Sequence, residues 1–244
     1  MSNISILEIL VHTNNLYSAL ELQLMSSGKY NIIVNSYESR PSGAGPFPAV
    51  ILFMHAHGLD DSSKKVCDDL AAAGYIAVGA DGYLNGTYSF QTRSDEAIFK
   101  AADLLLHTLK SREDVISDKI GLIGFCMGGR HAYLYNANRD DMSAVVSYYG
   151  FPHRGDSENT TPQNRIQDFT APVLSIFAAE DRGIPMDAVK AYQTASEGEE
   201  SPHQSIVYDG VGHGFLNINS RNSNENASKD AWEKTIEFFD KYLK

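Results

Sequence analysis

The cysteine at position 126 lies in a turn whose residue types and spacing suit covalent catalysis. It is the centre of Gly124-Phe-Cys126-Met-Gly128-Gly129, which follows the apolar stretch 119–124 and precedes the helical periodicity of 128–137. A strand, a sharp turn and a helix in this order make a nucleophile elbow, in which glycines let the strand and helix pack closely around the exposed nucleophile. The helix N-terminus also favours a thiolate and the later oxyanion. We therefore predict that Cys126 is the nucleophile, whereas Cys67, on an apolar helical face, is a core residue.

A thiol nucleophile needs a general base, and His213 is the best placed of the eight histidines. It follows the last predicted strand, and the glycines on both sides of it free the loop to deliver the imidazole to the elbow. The carboxylate that orients the base is predicted to be Asp181, on the turn that leaves the strand 173–178, rather than the adjacent Glu180. The chain order of nucleophile, acid and base is the one that accompanies a nucleophile elbow.

The segment His55-Ala-His57-Gly58 follows the apolar strand 49–54 and is expected to complete the site. The backbone N–H groups of Met127 and Ala56 are the predicted oxyanion donors. His55 and His57 also allow a different interpretation, a dinuclear metal hydrolase, because a His-x-His pair followed by acidic residues can bind zinc. The spacing of the following aspartates does not complete that pattern, so we predict no metal.

The predicted secondary structure brings these residues to one edge of a sheet. From position 49 onward, continuous apolar strands alternate with amphipathic helices, which implies right-handed crossovers and a mostly parallel sheet. Stretches 5–13, 19–25 and 31–36 are predicted as earlier strands that form an antiparallel N-terminal edge. The later strands are expected at 49–54, 75–80, 119–124, 144–149, 173–178 and 204–208, and the helices at 62–73, 95–110, 128–137, 187–196 and 228–243. The predicted fold class is α/β, with helices on both faces of the sheet.

We expect one domain over residues 1–244, with edge strands and turns in residues 1–48. Two long polar loops, 150–168 and 217–227, follow strands that precede or carry suspected catalytic residues. Loops of this length are uncommon in compact domains and often functional. Both are interpreted either as surface excursions or as the rim of the site mouth.

The composition excludes several classes of protein. Hydrophobic residues make up 43% of the chain, and the formal net charge is −11. An acidic surface argues against nucleic-acid partners and against adsorption to anionic membranes. Residues 1–15 do not resemble a signal peptide, no long apolar run suggests a membrane span, and two unpaired thiols suit a reducing compartment. A cytoplasmic protein, monomeric or homodimeric, with a small-molecule substrate is therefore expected.

From about position 49 to the C-terminus, the chain resembles the dienelactone hydrolase family of the α/β-hydrolase superfamily. The resemblance is carried by the elbow, Ser147-Tyr-Tyr-Gly150, Asp181 with Pro185, His213-Gly-Phe215, and the Gly74-Tyr75 and Asp81 matches. It implies an α/β-hydrolase fold with a cysteine nucleophile, completed by aspartate and histidine, and no cofactor. Cys126, Asp181 and His213 occupy those positions here.

The chain departs from the family at the residues that contact the substrate. The family glutamate that holds the resting thiol aligns with His55, and two arginines that bind the substrate carboxylate align with Asn85 and Asn217. Losing bidentate carboxylate binding favours a neutral ester or another lactone, unless an arginine elsewhere replaces it. The candidates for such a role are Arg93, Arg130 and Arg154, and His57, Tyr149 and His153 are further candidates for substrate contact.

The predicted function is cleavage of a carboxylic ester or lactone through a Cys-His-Asp triad and a thioacyl-enzyme intermediate. Two alternatives remain open at this point. One is a metal-dependent hydrolase that uses His55 and His57, and the other is a non-catalytic ligand-binding protein on a hydrolase scaffold.

Overall fold

A twisted sheet runs through the protein, and a computed structural model describes residues 10–11, 18–25, 31–80, 94–155, 157, 160–216 and 223–244. Within these residues the strands are β1 Leu10–Val11, β2 Ser18–Met25, β3 Asn31–Ser39, β4 Phe47–Phe53, β5 Ile76–Ala80, β6 Val115–Phe125, β7 Ala144–Tyr148, β8 Val173–Ala178 and β9 His203–Tyr208. They form one sheet in the order β1-β2-β3-β5-β4-β6-β7-β8-β9.

The sheet divides into an antiparallel edge and a parallel body. Strands β1, β2 and β3 pair antiparallel with one another, and β3 pairs antiparallel with β5. Every pair from β5 to β9 along the sheet is parallel. The central strands β4, β6 and β7 are buried along most of their length, as their apolar sequences require for strands covered on both faces. The predicted α/β fold with an antiparallel N-terminal edge is confirmed.

The helices are α1 Asp61–Ala72, α2 Asp95–Lys110, α3 Met127–Asn136, α4 Met186–Ala195 and α5 Glu225–Leu243. The crossover from β4 to β5 runs in the opposite direction along the sheet to the later crossovers. Because such crossovers are right-handed, α1 lies on one face and α2, α3 and α4 lie on the other. Helix α5 returns to the face of α1, where Lys244 Nζ donates to the carbonyl of Ala73 at 2.9 Å.

This reversal of direction places a crevice between the ends of β4 and β6. The loop after β4 leads to α1 on one face, and the turn after β6 leads to α3 on the other. Ligands of open α/β sheets bind at such a switch point, beyond the carboxyl ends of the strands. The two segments predicted from the sequence to form the site, residues 55–58 and 124–129, flank this crevice.

Several element boundaries differ from the predicted ones for identifiable reasons. Strand β6 begins at Val115, four residues early, because Val115 pairs with Phe47 ahead of a register shift in the β4–β6 ladder. Helix α5 begins at Glu225 because the side chain of Asn224 accepts a hydrogen bond from the Ala227 N–H at 3.0 Å. The predicted loop 150–168 contains a 3-10 helix, Gln163–Asp168, and is therefore not irregular throughout.

No helix in the described part of the chain combines the length and apolar character needed to cross a lipid bilayer.

Candidate active site

Cys126 lies in a strained turn directly between β6 and α3. Its backbone has φ 58° and ψ −119°, in the left-handed half of conformational space that residues with a Cβ rarely occupy. Its N–H donates to the carbonyl of Tyr148 at 3.0 Å, and its carbonyl accepts from the N–H of Arg130 at 3.2 Å. Strain of about 1–3 kcal/mol persists only where surrounding contacts impose it, and such residues cluster at active sites.

The glycines around Cys126 are required by close backbone contact. A Cβ on Gly124 would lie 2.1 Å from the carbonyl oxygen of Gly128. A Cβ on Gly128 would lie 2.1 Å from the carbonyl oxygen of Phe53, at the end of β4. Since both contacts are with backbone atoms, neither position admits a side chain without moving α3. The start of α3 is thereby held against the end of β4 as well as against β6.

His213 and Asp181 form a short hydrogen bond next to the elbow. The imidazole Nδ1 of His213 lies 2.6 Å from Oδ2 of Asp181. The other carboxylate oxygen, Oδ1, accepts the backbone N–H groups of Gly183 at 2.7 Å and Ile184 at 3.2 Å. The Asp181 side chain is 1% exposed and that of His213 is 31% exposed. Asp181 is therefore buried and fixed by its own turn, while His213 reaches toward solvent.

His213 also hydrogen-bonds to Cys126, and this arrangement determines its charge state. Burial alone would lower the pKa of His213, but the hydrogen bonds to Asp181 and Cys126 and the negative charges of both groups outweigh it and raise the pKa to about 9. The imidazole is consequently protonated at neutral pH. An imidazolium beside the sulfur is the arrangement in which a thiolate nucleophile is stabilised.

Two aromatic rings hold the imidazole from the sides. The ring of Phe151 stacks on His213 with a centroid separation of 5.4 Å and an interplanar angle of 24°. The Tyr149 ring lies 5.0 Å from the imidazole and is tilted by 56°. Tyr149 itself has φ 38°, and its N–H donates to the carbonyl of Ile176 at 2.7 Å. Burial, with contributions from nearby negative charges, raises the pKa of Tyr149, so its hydroxyl keeps its proton and can act as a donor.

The predicted oxyanion donors lie on the two segments that flank the crevice. Met127 is the first residue of α3, where a helix leaves its N–H groups without intrahelical partners. Ala56 lies in the turn after β4, where the N–H of Gly58 donates to the carbonyl of His55 at 3.0 Å. Because a Cβ on Gly128 would touch the end of β4, these two segments are adjacent.

His55 and His57 form a hydrogen-bonded pair with Asp60. The His55 Nε2 lies 3.1 Å from Oδ1 of Asp60, and its Nδ1 lies 3.1 Å from Nδ1 of His57. Asp60 also caps α1, accepting the N–H of Ser63 at 2.9 Å. Among the residues that the structure describes, no group of three or more His, Cys, Asp or Glu side chains is arranged to hold a metal ion.

Arg130 is committed to a buried ion pair. Its guanidinium binds both carboxylate oxygens of Asp95, at 2.7 and 2.8 Å, and its Nε donates to the carbonyl of Arg154 at 2.7 Å. Burial alone would raise the pKa of Asp95, but hydrogen bonds from His131 and Arg130 and their charges hold it well below its usual range. Arg130 is 3% exposed, so its charge is neutralised inside the protein and does not act in the crevice.

Arg154 and His153 both contact Phe151, whose ring stacks on His213. The Arg154 guanidinium carbon lies 3.9 Å from the centre of the Phe151 ring, and its Nη2 lies 3.3 Å from the carbonyl of Gly183. Burial, together with the charge of Arg154, lowers the pKa of His153, and its buried Nδ1 has no hydrogen-bond partner among the described residues. Three other candidates, Asn85, Arg93 and Asn217, lie outside the described residues.

Comparison with known proteins identifies the family to which this fold and site belong. The sequence model of the dienelactone hydrolase family matches residues 34–243. The chain belongs to the dienelactone hydrolase family. The match covers the whole parallel body of the sheet and all the residues proposed for catalysis, so the family resemblance inferred from the sequence is confirmed.

Relatives within the dienelactone hydrolase family have a similar length. A protein of Escherichia coli (strain K12), assigned as a carboxymethylenebutenolidase, is 29% identical over 224 residues, covering 85% of this chain and 82% of that one. A Bradyrhizobium protein assigned as a 2-oxo-3-(5-oxofuran-2-ylidene)propanoate lactonase is 27% identical over 215 residues, covering 82% and 86%. A crystal structure from Klebsiella pneumoniae, assigned as a dienelactone hydrolase, has 26% identity and a TM-score of 0.83, covering 93% of this chain and all of that one.

The cavity in front of Cys126 is lined both by predicted site residues and by residues that the sequence did not indicate. It has a volume of about 1020 Å³ and includes His55, His57, Tyr149 and His213. Further lining residues that the sequence analysis did not select come from α1, α5 and the His213 loop, notably Val66, Leu216 and Trp232. From helical periodicity, Val66 and Trp232 can be predicted only to be half-buried. That their two helices, distant in the sequence, line the same cavity is a property of the tertiary structure.

Proposed function

We propose that this protein hydrolyses carboxylic esters or lactones with Cys126 as nucleophile, His213 as acid and base, and Asp181 as the residue that orients His213. The observation that carries this proposal is the hydrogen-bonded series of Asp181, His213 and Cys126 at a strained strand-to-helix turn. The family membership supports hydrolysis, and the relatives named above are assigned as enzymes that open lactones.

The first half of the reaction transfers the acyl group to sulfur. The Cys126 sulfur attacks the carbonyl carbon and forms a C–S bond, while the carbonyl oxygen becomes an oxyanion next to the N–H groups of Met127 and Ala56. When the C–O bond breaks, the departing oxygen takes a proton from His213. The pKa of about 9 keeps that proton on His213 at neutral pH until it is needed.

The second half releases the acid and frees Cys126 for another cycle. In the thioacyl enzyme the sulfur no longer carries the charge that helps to raise the pKa of His213, so this pKa falls and more of the imidazole is neutral and able to accept a proton at neutral pH. His213 then takes a proton from water, whose oxygen attacks the thioester carbonyl. The C–S bond breaks, the sulfur takes the bonding electrons, and it pairs again with the protonated His213, which restores the starting state. Asp181 keeps Nδ1 protonated throughout, so that Nε2 faces the reaction.

We further propose that neutral esters and lactones are preferred over substrates that carry a carboxylate. Two of the three arginines that could replace the family's carboxylate-binding residues are committed elsewhere, since Arg130 binds Asp95 and Arg154 covers Phe151. The lysines that line the cavity are paired with acids, Lys65 with Asp69 at 2.6 Å and Lys229 with Glu233 at 3.9 Å. Tyr149 and the His55–His57 pair also line the cavity, where they can contact a neutral substrate through hydrogen bonds.

A panel of 4-nitrophenyl esters and unsubstituted lactones tests the proposal. Wild type should hydrolyse them, and Cys126→Ala or iodoacetamide should reduce kcat/KM at least about 10³-fold, as loss of a triad nucleophile does. Cys67→Ala is the matched control, because Cys67 is fully buried and burial raises the pKa of its thiol, so its removal should leave kcat/KM within about twofold.

Each alternative function predicts a different result in this panel. Inhibition by EDTA with resistance to iodoacetamide would indicate the metal-dependent mechanism through His55 and His57. Binding of esters without turnover, equal in wild type and Cys126→Ala, would indicate a ligand-binding protein. Either result would overturn the thiol mechanism.

A further inference from the structure

The cavity in front of Cys126 continues as a groove between α1 and α5. Its α1 wall includes Ser62, Lys65, Val66 and Asp69, and its α5 wall includes Glu225, Ser228, Lys229 and Trp232. On each helix these residues recur at three- and four-residue spacing over eight residues, which is one face of an α-helix. At 1.5 Å per residue, each wall is about 10 Å long.

Both walls are hydrogen-bonded to the loops that carry the proposed catalytic groups. On one side, Ser63 Oγ donates to the carbonyl of Gly58, in the loop that holds Ala56, at 3.3 Å. On the other side, Ser228 Oγ donates to the carbonyl of Phe215, two residues beyond His213, at 2.9 Å. The groove is therefore attached at both sides to the reaction centre, and a substrate held in it would be held in a defined position relative to Cys126.

The interior of the groove is apolar, and both of its lysines are paired with acids on their own helices. Val66, Leu216 and Trp232 are partly buried against the hydrophobic core and also line the cavity. Phe125 and Tyr149 extend this apolar surface to Cys126. Lys65 and Lys229 are each bridged to an acid four residues further along their own helix, so their charges are satisfied at the rim.

The size of the cavity sets the class of ligand. Pockets of about 300–1000 Å³ enclose ligands of drug size, and about 1020 Å³ lies at the top of that range. A small lactone would fill only the part of the cavity next to Cys126 and leave the apolar walls in contact with water. An ester with an extended apolar group would displace that water and bury Val66 and Trp232.

We propose that the groove between α1 and α5 is a subsite for the extended apolar acyl chain or aryl group of a neutral ester, and that Trp232 is its main specificity-determining residue. This inference rests on the proposed ester hydrolysis for its kinetic test, but binding tests it independently. Trp232 is the only tryptophan in the chain, so the intrinsic tryptophan fluorescence reports on this subsite alone. An indole face offers both a large apolar area and aromatic stacking to such a group.

The kinetic test compares 4-nitrophenyl octanoate with 4-nitrophenyl acetate. In wild type, kcat/KM should be at least tenfold higher for the octanoate, with most of the difference in KM. Trp232→Ala should reduce this ratio at least fivefold, and Trp232→Phe should retain most of it. Tyr242→Ala is the matched control, because Tyr242 is an aromatic residue of the same helix that packs on Phe238 and does not line the cavity. It should leave the ratio unchanged within twofold.

The binding test uses the Cys126→Ala variant, in which an ester stays intact. Phenyl octanoate should change the tryptophan fluorescence with saturation, and phenyl acetate at the same concentration should change it at least tenfold less. If turnover is absent in wild type but phenyl octanoate still binds with this signal, the ester-hydrolase proposal fails and the subsite proposal stands. If wild type hydrolyses both esters with equal kcat/KM and the fluorescence does not respond, the subsite proposal is overturned while the hydrolase proposal stands.

Discussion

Replacing Asp181 with asparagine tests the proposed triad through the direction of a single hydrogen bond. Oδ1 accepts two backbone N–H groups, from Gly183 and Ile184, so this position must remain an oxygen in the variant. The amide nitrogen of the substituted side chain would then face Nδ1 of His213, where Oδ2 accepts a hydrogen bond at 2.6 Å in wild type. Since an amide nitrogen only donates, Nδ1 would have to accept, and the proton would move to Nε2.

The size of the expected loss in kcat follows from the proton-transfer steps that a proton on Nε2 prevents. A neutral His213 with its proton on Nε2 cannot take a proton from the thiol or from water. The same tautomer error costs about 10⁴ in kcat in a serine triad, or about 5.4 kcal/mol at 1.36 kcal/mol for each factor of ten. A thiol is more acidic than a hydroxyl and depends less on the base, so we expect Asp181→Asn to lose between about 10² and 10⁴ in kcat.

The measurement is the pH profile of kcat for a 4-nitrophenyl ester, with Glu180→Gln as the matched control. Glu180 is the adjacent carboxylate, but it is exposed, and the contact identified for it is a backbone hydrogen bond from its N–H to the carbonyl of Val211 at 3.0 Å. Its removal should change kcat by less than twofold. If Glu180→Gln were inactive and Asp181→Asn active, the assignment of the acid would be refuted. If both variants kept wild-type activity, the triad would be refuted.

Three further predictions follow from the same geometry. Gly128→Ala should abolish activity and destabilise the fold, because its Cβ would meet the carbonyl of Phe53 at 2.1 Å. Gly198→Ala is the control: its Cβ would have nothing within 4 Å, so only its positive φ should lower the free energy of unfolding, by about 1–2 kcal/mol in thermal unfolding. The pKa of His213 is raised from 6.5 to about 9, so protonated His213 stabilises the fold fully below about pH 6.5 and this stabilisation is lost as the pH rises through about 9. In urea titrations across that window, the free energy of unfolding of wild type should fall by at most about 3 kcal/mol relative to that of His213→Gln. For a lactone that carries a carboxylate, the methyl ester of that carboxylate should have a higher kcat/KM than the free acid. Arg154→Ala should leave the ratio of the two kcat/KM values within threefold. A preference for the free acid that Arg154→Ala reverses would show that Arg154 binds the carboxylate.

The fold was predictable because its strongest signals are local in the sequence. The apolar runs of β4 and β8 and the amphipathic periodicity of α2 lie within single elements, and α2 and β8 were predicted with their observed limits. The elbow was predictable for the same reason, since the steric need for Gly124 and Gly128 arises within a few residues of Cys126. Boundaries moved where a partner strand or a capping side chain set them, as at the start of β6 and the start of α5.

The candidate site was less predictable where contacts join residues that are distant in the sequence. Asp181 and His213 could be selected from their order in the chain and their places after strands. In the structure this placement brings them within hydrogen-bond distance. The sequence could not show whether Arg130 and Arg154 bind a substrate, because an isolated arginine in a sequence does not reveal whether its partner is a substrate or a group of the protein. In the structure both arginines bind groups of the protein itself.

These two arginines connect the helix that follows Cys126 to the aromatic ring that stacks on His213. Arg130 lies four residues after Cys126 on α3, and its Nε binds the carbonyl of Arg154 at 2.7 Å. The Arg154 side chain covers Phe151, whose ring stacks on the imidazole of His213. Asp95 satisfies the remaining charge of Arg130, so this buried contact does not leave an unpaired cation, which would be costly. A site whose base arrives on a loop needs such support, because a displacement of about 1 Å can cost about 100-fold in rate. The arginines that the sequence offered for binding a substrate carboxylate thus support the position of His213, which is consistent with a preference for neutral substrates.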